Sequence, residues 1–402
     1  MITTKRAIVA SLLFSTFLFS QEGTIKASKF GKGIFNIVGA DSTWSMKFAA
    51  RMQFLSNSSW EASNNKLINP TQDFLVRRAR LKFDGFAYSP KLKYKFELGL
   101  SNRDVSGGSQ YTGNTPRYIF DAVVMWNFYG NFALWVGQTK LPGNIERVIS
   151  SGNLQLVDRS LLNSYFNIDR DMGVQLRHHF VLGDEFTIRE KIAISQGEGR
   201  NITTGNLGGH QYTARIELLP FGEFEKAGDY LGGDIYREPK PKLMLASTYD
   251  FNNNAVRTRS NSGTYMINDI GFYKTNIKTL FADAMFKYKG FSFMGEYALR
   301  DASNPFAKNS DGTLTGAIVD EGRAYNLQSG YLFKSNYEVA ARYTNIKFDK
   351  DVTAKGFEKQ VTLGLSKYVV GHKLKIQTDV SYLSSEIGND EVMWRLQFDL
   401  HF

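Results

Sequence analysis

The 402-residue sequence has no cysteine and only 8 prolines. The absence of cysteine excludes disulfide scaffolds, thiolate metal sites, cysteine nucleophiles and cysteine-linked lipid anchors. The scarcity of proline, set beside 36 glycines and 14% aromatic residues, suits many strands joined by glycine-bearing turns. Long hydrophobic runs are also missing. With 22% charged residues, the chain is not a bundle of membrane helices, each of which needs about 20 apolar residues. An apolar content of 42% is too high for a disordered chain. The length fits two or three soluble domains or one all-β barrel. A formal charge of +10 implies affinity for anions without naming one.

The N-terminus carries the one apolar stretch of note. Lys5 and Arg6 precede AIVASLLFSTFLFS (7–20), which has the length of a signal-peptide core and is too short to span a bilayer. Cleavage is expected after Ser20, although Leu18 stands where a small residue is usual. The chain thus divides into an export signal (1–20), a short lead-in (21–42) and a body (43–402). If the body enters a membrane, it does so as strands.

The body alternates with period two. In 44–54, Trp44, Met46, Phe48, Ala50, Met52 and Phe54 oppose Ser45, Lys47, Arg51 and Gln53. In 118–128, Phe120, Ala122, Val124, Trp126 and Phe128 oppose Asp121 and Asn127. The last segment ends Trp394, Leu396, Phe398, Leu400, Phe402, with Arg395, Gln397, Asp399 and His401 between. Such alternation is a strand signal, because successive side chains on a strand point to opposite faces. About 16 segments of this kind are expected, centred near 49, 80, 97, 124, 136, 174, 190, 214, 247, 283, 296, 329, 341, 363, 379 and 397. They run to around ten residues, longer than the five or six usual in soluble sandwiches. The pattern predicts an all-β, transmembrane antiparallel barrel with lipid outside and water inside. Trp44, Trp126, Trp135 and Trp394 are candidates for the aromatic girdles. Tight connections such as Leu182-Gly183 and Lys289-Gly290 alternate with long ones at 57–72, 102–117, 141–169, 197–209, 252–276, 301–324 and 384–391. The stretch 219–241 is long where a turn is due, and is taken as a large turn on the periplasmic side. The apolar strand ending at Phe402 suits the outer-membrane assembly machinery.

Four stretches resemble the phosphate-selective porin O and P family: FLVRRARLKFDG (74–85), VGQTKLPGNIERVISSGNLQLVDRSLLNSYF (136–166), DRDMGVQL (169–176), and ARIELLPFGEF (214–224) with PKLMLASTYDF (241–251). The resemblance implies a 16-stranded barrel, usually trimeric, whose third loop narrows a channel passing anions such as phosphate. The long periplasmic extension of some relatives is absent, since 21–42 is too short to supply it.

Function would then be selection rather than reaction. Arg78, Arg80 and Lys82 share a face with Asp84, so they point into the lumen about 6.6–7 Å apart. Lys47 and Arg51 lie inward on the strand before, Lys93 and Lys95 on the strand after, and Arg215 on a later one. Rings of Arg and Lys are the device of anion-selective pores, and the guanidinium fork suits phosphate-like oxyanions. Asp84, Glu97, Asp121, Glu217, Asp283, Glu296 and Glu338 face inward too and can pair with these cations. Loop 141–169 holds Arg147, Asp158, Arg159 and Arg170 beside Leu154, Leu156 and Leu161. Folding into the lumen would bury those leucines and narrow the passage.

The expected function is an outer-membrane porin of a Gram-negative bacterium, giving passive diffusion of small hydrophilic solutes with a preference for anions. The expected partners are small anions such as phosphate, outer-membrane lipid and lipopolysaccharide, with no nucleic acid and no cofactor. A non-selective general porin, or a barrel serving as surface receptor or adhesin, are the alternatives. Catalysis is not expected. His178 and His179 are consecutive on a strand and cannot chelate together, and nothing pairs a nucleophile with a placed base.

Overall fold

The computed structural model describes residues 24–26, 28–105, 117–203 and 205–402. The expected export signal (1–20) lies outside them.

Sixteen antiparallel strands close into a barrel. They are β1 Trp44–Ser63, β2 Lys66–Ala87, β3 Ser89–Gly99, β4 Ile119–Tyr129, β5 Phe132–Lys140, β6 Arg170–Leu182, β7 Phe186–Ser195 and β8 Gln211–Leu219. The second half comprises β9 Lys242–Ala255, β10 Thr275–Tyr288, β11 Phe291–Ala302, β12 Gly322–Leu332, β13 Tyr337–Phe348, β14 Phe357–Val370, β15 Leu374–Ser385 and β16 Asp390–His401. Each pairs with its neighbours in sequence, and β16 closes on β1 from Asp390↔Ala62 to His401↔Arg51. All sixteen centres read from the alternation fall inside these strands. The lead-in joins the wall as well: Phe35–Val38 pairs with Ser45–Phe48 of β1, on the edge that β16 leaves uncovered below Arg51.

The alternation places the side chains as a membrane barrel requires. On β14, Val361, Leu363 and Leu365 are 45%, 61% and 46% exposed, whereas Thr362 between them is fully buried. The apolar row faces outward, towards lipid, and the polar row faces the interior. Trp126 and Trp394 are exposed on the outer face. Trp135 departs from the girdle reading. It lies on the inner register beside Val136, which faces out, and Arg177 stacks over its ring at 3.5 Å. Gly137, its neighbour on the inner register, is in the left-handed region (φ 127).

Two connections differ from expectation. The stretch 57–72 is not a long loop. Strands β1 and β2 run on for 20 and 22 residues and meet in a turn at Asn64 and Asn65, both with positive φ (50° and 59°). Two consecutive left-handed residues match the twist of a hairpin, and asparagine tolerates that conformation. A spanning strand needs only about 9–11 residues. Beyond the membrane both faces meet water, so alternation fades while pairing continues. The second is 219–241, which does sit at the turn end but folds inward rather than away. The Lys287 ammonium donates to the carbonyls of Gly228 (2.7 Å) and Leu231 (2.9 Å), and the Gly290 N–H donates to Asp234 (2.7 Å). These bonds draw the segment up into the barrel mouth.

Candidate permeation pathway

Residues 141–169 turn back from the end of β5 into the barrel. They form a short helix at Ile145–Val148, a 3-10 turn at Ser151–Asn153 and a second helix at Leu161–Phe166. The driving force is apolar burial. Ile145, Ile149 and Leu154 pack on Leu219, Met244, Met285 and Met294 of the wall. Leu162, Phe166 and Ile168 pack on Phe281, Ala298, Ala324, Ile346 and Phe348. Each such side chain contributes about 1.5–3 kcal/mol when removed from water, so the loop gains far more inside than outside.

Polar groups fix where the loop rests. Helix ends leave carbonyls unpaired, and a cation is favoured there. The Lys140 ammonium donates to the carbonyls of Arg147 (2.7 Å), Val148 (3.0 Å) and Ile149 (3.0 Å) at the end of the first helix. The Arg300 guanidinium donates to those of Tyr165 (2.8 Å) and Phe166 (2.7 Å) at the end of the second. Glu296 accepts from the Asn144 side chain (3.1 Å) and the Glu146 N–H (2.8 Å). Lys375 and Gln377 donate to the carbonyls of Leu154 and Gln155, each at 2.8 Å, and Asp379 accepts from the Val157 N–H (3.1 Å). The inward polar residues of β11 and β15 are thus consumed in holding the loop, and the open space is left towards β2–β7.

Two cavities of that space bear on passage. The one nearer the loop end is about 340 Å³ and is lined by nine arginines, Lys140 and three carboxylates, Asp104, Asp158 and Asp169. The one nearer the turn end is about 690 Å³ and is lined by Trp135, Arg177, Lys93 and Tyr230 among others. Segment 140–148 separates them: Lys140 and Arg147 face the outer cavity, Pro142 and Val148 the inner one.

Two register shifts shape the outer cavity. On β2 the pairing passes from Gln53↔Arg78 to Phe54↔Val76, so Arg77 is an extra residue. Arg77 and Arg78 are consecutive, yet both are buried on the inner side (3% and 5% exposed). On β4 the pairing passes from Glu97↔Asp121 to Leu98↔Ile119, leaving Phe120 extra. Plain alternation places Phe120 on the lipid face, but the bulge turns it inward. There the guanidinium groups of Arg200, Arg80 and Arg170 stand 3.9, 4.1 and 4.9 Å from its ring centre. A β-bulge re-aims a side chain in this way.

The residues picked from sequence have different fates. Arg78, Arg80, Arg147 and Arg159 line the outer cavity. Arg78 bonds the Gln53 side chain and lies 3.6 Å from Asp158. Arg80 is bidentate to Asp104 (2.8 and 2.9 Å) and reaches Glu97 (3.0 Å). Arg147 pairs with Asp169 (2.8 Å). Arg159 donates to the carbonyls of Glu146 (2.9 Å) and Ile149 (2.7 Å). Lys95 is held by Glu97 (3.0 Å) and Asp121. Lys82 meets Asp84 at 3.4 Å and stays partly exposed, and Lys47 lies opposite Asp84 in the ladder. Lys93 lines the inner cavity. Arg51 and Arg215 do not offer a free guanidinium. Arg51 is bidentate to Asp399 (3.0 and 2.7 Å) and holds Ser151 (2.7 Å). Arg215 is bidentate to Asp283 (2.8 and 2.7 Å) and also bonds Glu217 and the Gly143 carbonyl. Both are braced by carboxylates of the wall and hold the inserted loop directly, at Ser151 and at Gly143.

Sequence reasoning missed Arg77, Lys140 and Arg200, which join the same cavity. Arg77 had a signal. On unbroken alternation it would face lipid, which costs about 2–4 kcal/mol at the bilayer midplane. Lys140 and Arg200 had none, because their positions depend on how two loops fold.

Within the loop, burial alone would raise the carboxyl groups of Asp158 and Asp169. The surrounding guanidinium groups outweigh it. Arg77 and Arg78 hold Asp158 well below the usual carboxylate range, and Arg147 and Arg170 do the same for Asp169.

The family model for phosphate-selective porin O and P matches residues 58–221. The match covers the bulged β2, the inserted loop and the strands through β8. An uncharacterised protein of Aquifex aeolicus is 25% identical over 363 residues, covering 82% of this chain and 81% of that one. Among solved structures, the anion-selective porin from Comamonas acidovorans has a TM-score of 0.55 at 11% identity, covering 89% of this chain and all of that one. OmpF of Salmonella typhi, solved with daunomycin, has a TM-score of 0.56 at 11% identity, covering 90% and 99%. At such identities the structures establish the porin fold. Barrel and family match together support an outer-membrane porin channel rather than an enzyme.

Proposed function

We propose that this porin passes small anions in preference to cations, and compact phosphate-like oxyanions best. The carrying observation is the outer cavity, where ten cationic side chains stand against three carboxylates. A sphere of 340 Å³ is about 9 Å across, close to the Debye length of about 8 Å at physiological salt, so an ion inside stays within the field of the wall. Several cations there have no carboxylate partner among the described residues. Arg159 and Arg200 are satisfied only by carbonyls, Arg200 by those of Arg117 (3.3 Å) and Asp104 (2.6 Å). Guanidinium groups carry five N–H donors in a fixed fork, which favours tetrahedral oxyanions over chloride. Reversal potentials in a KCl gradient across planar bilayers test the first part, with anion preference expected; cation preference refutes it. Competition of phosphate with the chloride current tests the second. A homotrimeric assembly and export through a cleaved signal peptide belong to the same proposal.

A further inference from the structure

We infer that the inner cavity is a binding site for organic anions with an aromatic body, aromatic carboxylates above all. This deepens the anion-channel reading and rests on it. The two cavities are built from different materials. In the outer one, the aromatic Phe120 ring is covered by three guanidinium groups. The inner one, about twice as large, combines cations and one carboxylate, Glu223, which Arg189 holds at 3.1 Å, with apolar walls. Met125, Ala133 and Trp135 form one side, Pro142 and Val148 of the inserted loop form another, and Tyr230 of the inward-folded turn segment closes it. A space of about 690 Å³ with apolar walls and a few placed polar groups has the character of a small-molecule site.

The polar end of the ligand is set by Arg177. Its guanidinium lies 3.5 Å over the Trp135 ring. Its Nε and Nη2 donate to the Gln175 side-chain oxygen (3.3 and 2.7 Å). No carboxylate lies within ion-pair distance of it among the described residues. The remaining N–H groups of the fork are therefore available to a carboxylate, whose two oxygens match it. A guanidinium held flat on an indole is pre-organised, so little freedom is lost when it binds. Lys93, on the same lining, adds a second positive charge. Trp135 matters for a further reason: the alternation sends Trp126 and Trp394 to the exposed lipid face, while Trp135 is turned into the lumen. Arg177 covers part of the indole, and an aromatic body in the cavity would pack against the rest of it, Met125 and Tyr230.

The test is block of chloride current through single channels of the full-length protein by benzoate, with acetate and inorganic phosphate as comparison anions. Benzoate added from the turn end should block at a concentration about tenfold lower than acetate, as stacking beyond charge requires. Arg177→Gln and Trp135→Ala should each raise its half-blocking concentration about tenfold. Equal block by benzoate and acetate, or block unchanged by both variants, overturns the inference. If Trp135→Ala does not assemble, Trp135→Leu keeps the bulk and removes the π-face, and the same weakening is required of it. Reversal potentials recorded on the same membranes separate the two readings. Anion preference without aromatic block sinks this site alone, and cation preference with block intact sinks the anion-channel proposal alone.

Discussion

Arginines 77 and 78 sit side by side in the sequence and on the same side of the wall, which an unbroken strand does not allow. The bulge that makes this so, and the one at Phe120, bring a guanidinium and a ring into one cavity. The alternation identified which residues of β1–β3 face inward, because lipid on one side forces period two. Of the two bulges it marked one, through Arg77, which unbroken alternation would turn to lipid; the other left no sign, because a phenylalanine at 120 suits the lipid face. The charge of the cavity gives two expectations. Arg77→Gln combined with Arg159→Gln removes two cations and no carboxylate, while Asp158 keeps Arg78 and Asp169 keeps Arg147. The chloride-to-potassium permeability ratio should fall at least about twofold, read from reversal potentials; an unchanged ratio would place the selective step elsewhere. The second concerns pH. Depressed carboxyl groups such as Asp158 and Asp169 lend stability above the unfolded value near 4 and lose it as pH falls through their folded values. Arginine stays charged throughout, and no histidine lines the outer cavity. Any change of selectivity between about pH 5 and 9 should therefore come from Lys140, the lining cation that can lose its proton, and should vanish in Lys140→Met; a dependence that survives there would place the selective step elsewhere.

Among the elements, the inserted loop was legible as a loop that must bury its leucines, and its insertion follows from that. Its resting place was not legible. It depends on polar partners up to 223 residues away in sequence, such as Gln377 on the Leu154 carbonyl. The inward fold of 219–241 was hidden for the same reason. Its length marked it as unusual, but Lys287 and Asp234 meet only once the barrel has closed. Lys140→Met tests how the loop is held. It leaves the carbonyls of Arg147 and Val148 without their donor, and that of Ile149 with Arg159 alone, at about 1–3 kcal/mol for each buried group left unpaired. The loop should loosen, and single-channel conductance should rise with larger fluctuations. Records like those of the wild type would show that apolar packing alone holds it.

As a whole molecule, the sixteen described strands close on one another along the membrane. β16 seals most of β1, and Phe35–Val38 covers the remainder, with the Phe402 N–H donating to the Ala50 carbonyl (2.9 Å). Closure of this kind removes the open edge that aggregation exploits. It also resists detergent below the melting temperature, since the strands pair all the way round the wall. The folded protein should migrate as a heat-modifiable oligomer in mild detergent, with a trimer mass by light scattering. A strictly monomeric mass would count against the proposed assembly. The strand count, order and closure were legible from alternation and turns. Oligomeric contacts leave no such periodic trace, because the outer surface is apolar whether it meets lipid or another copy.

The inserted loop and the inward turn segment also touch: the Gly232 N–H donates to the Asn153 carbonyl at 2.7 Å. That bond, with Phe224 and Tyr230 clustered beside Ile149 and Leu154, bridges two pieces of chain entering from opposite mouths. Loosening one therefore removes a partner from the other, and a variant that frees the inserted loop should unsettle the opposite mouth as well.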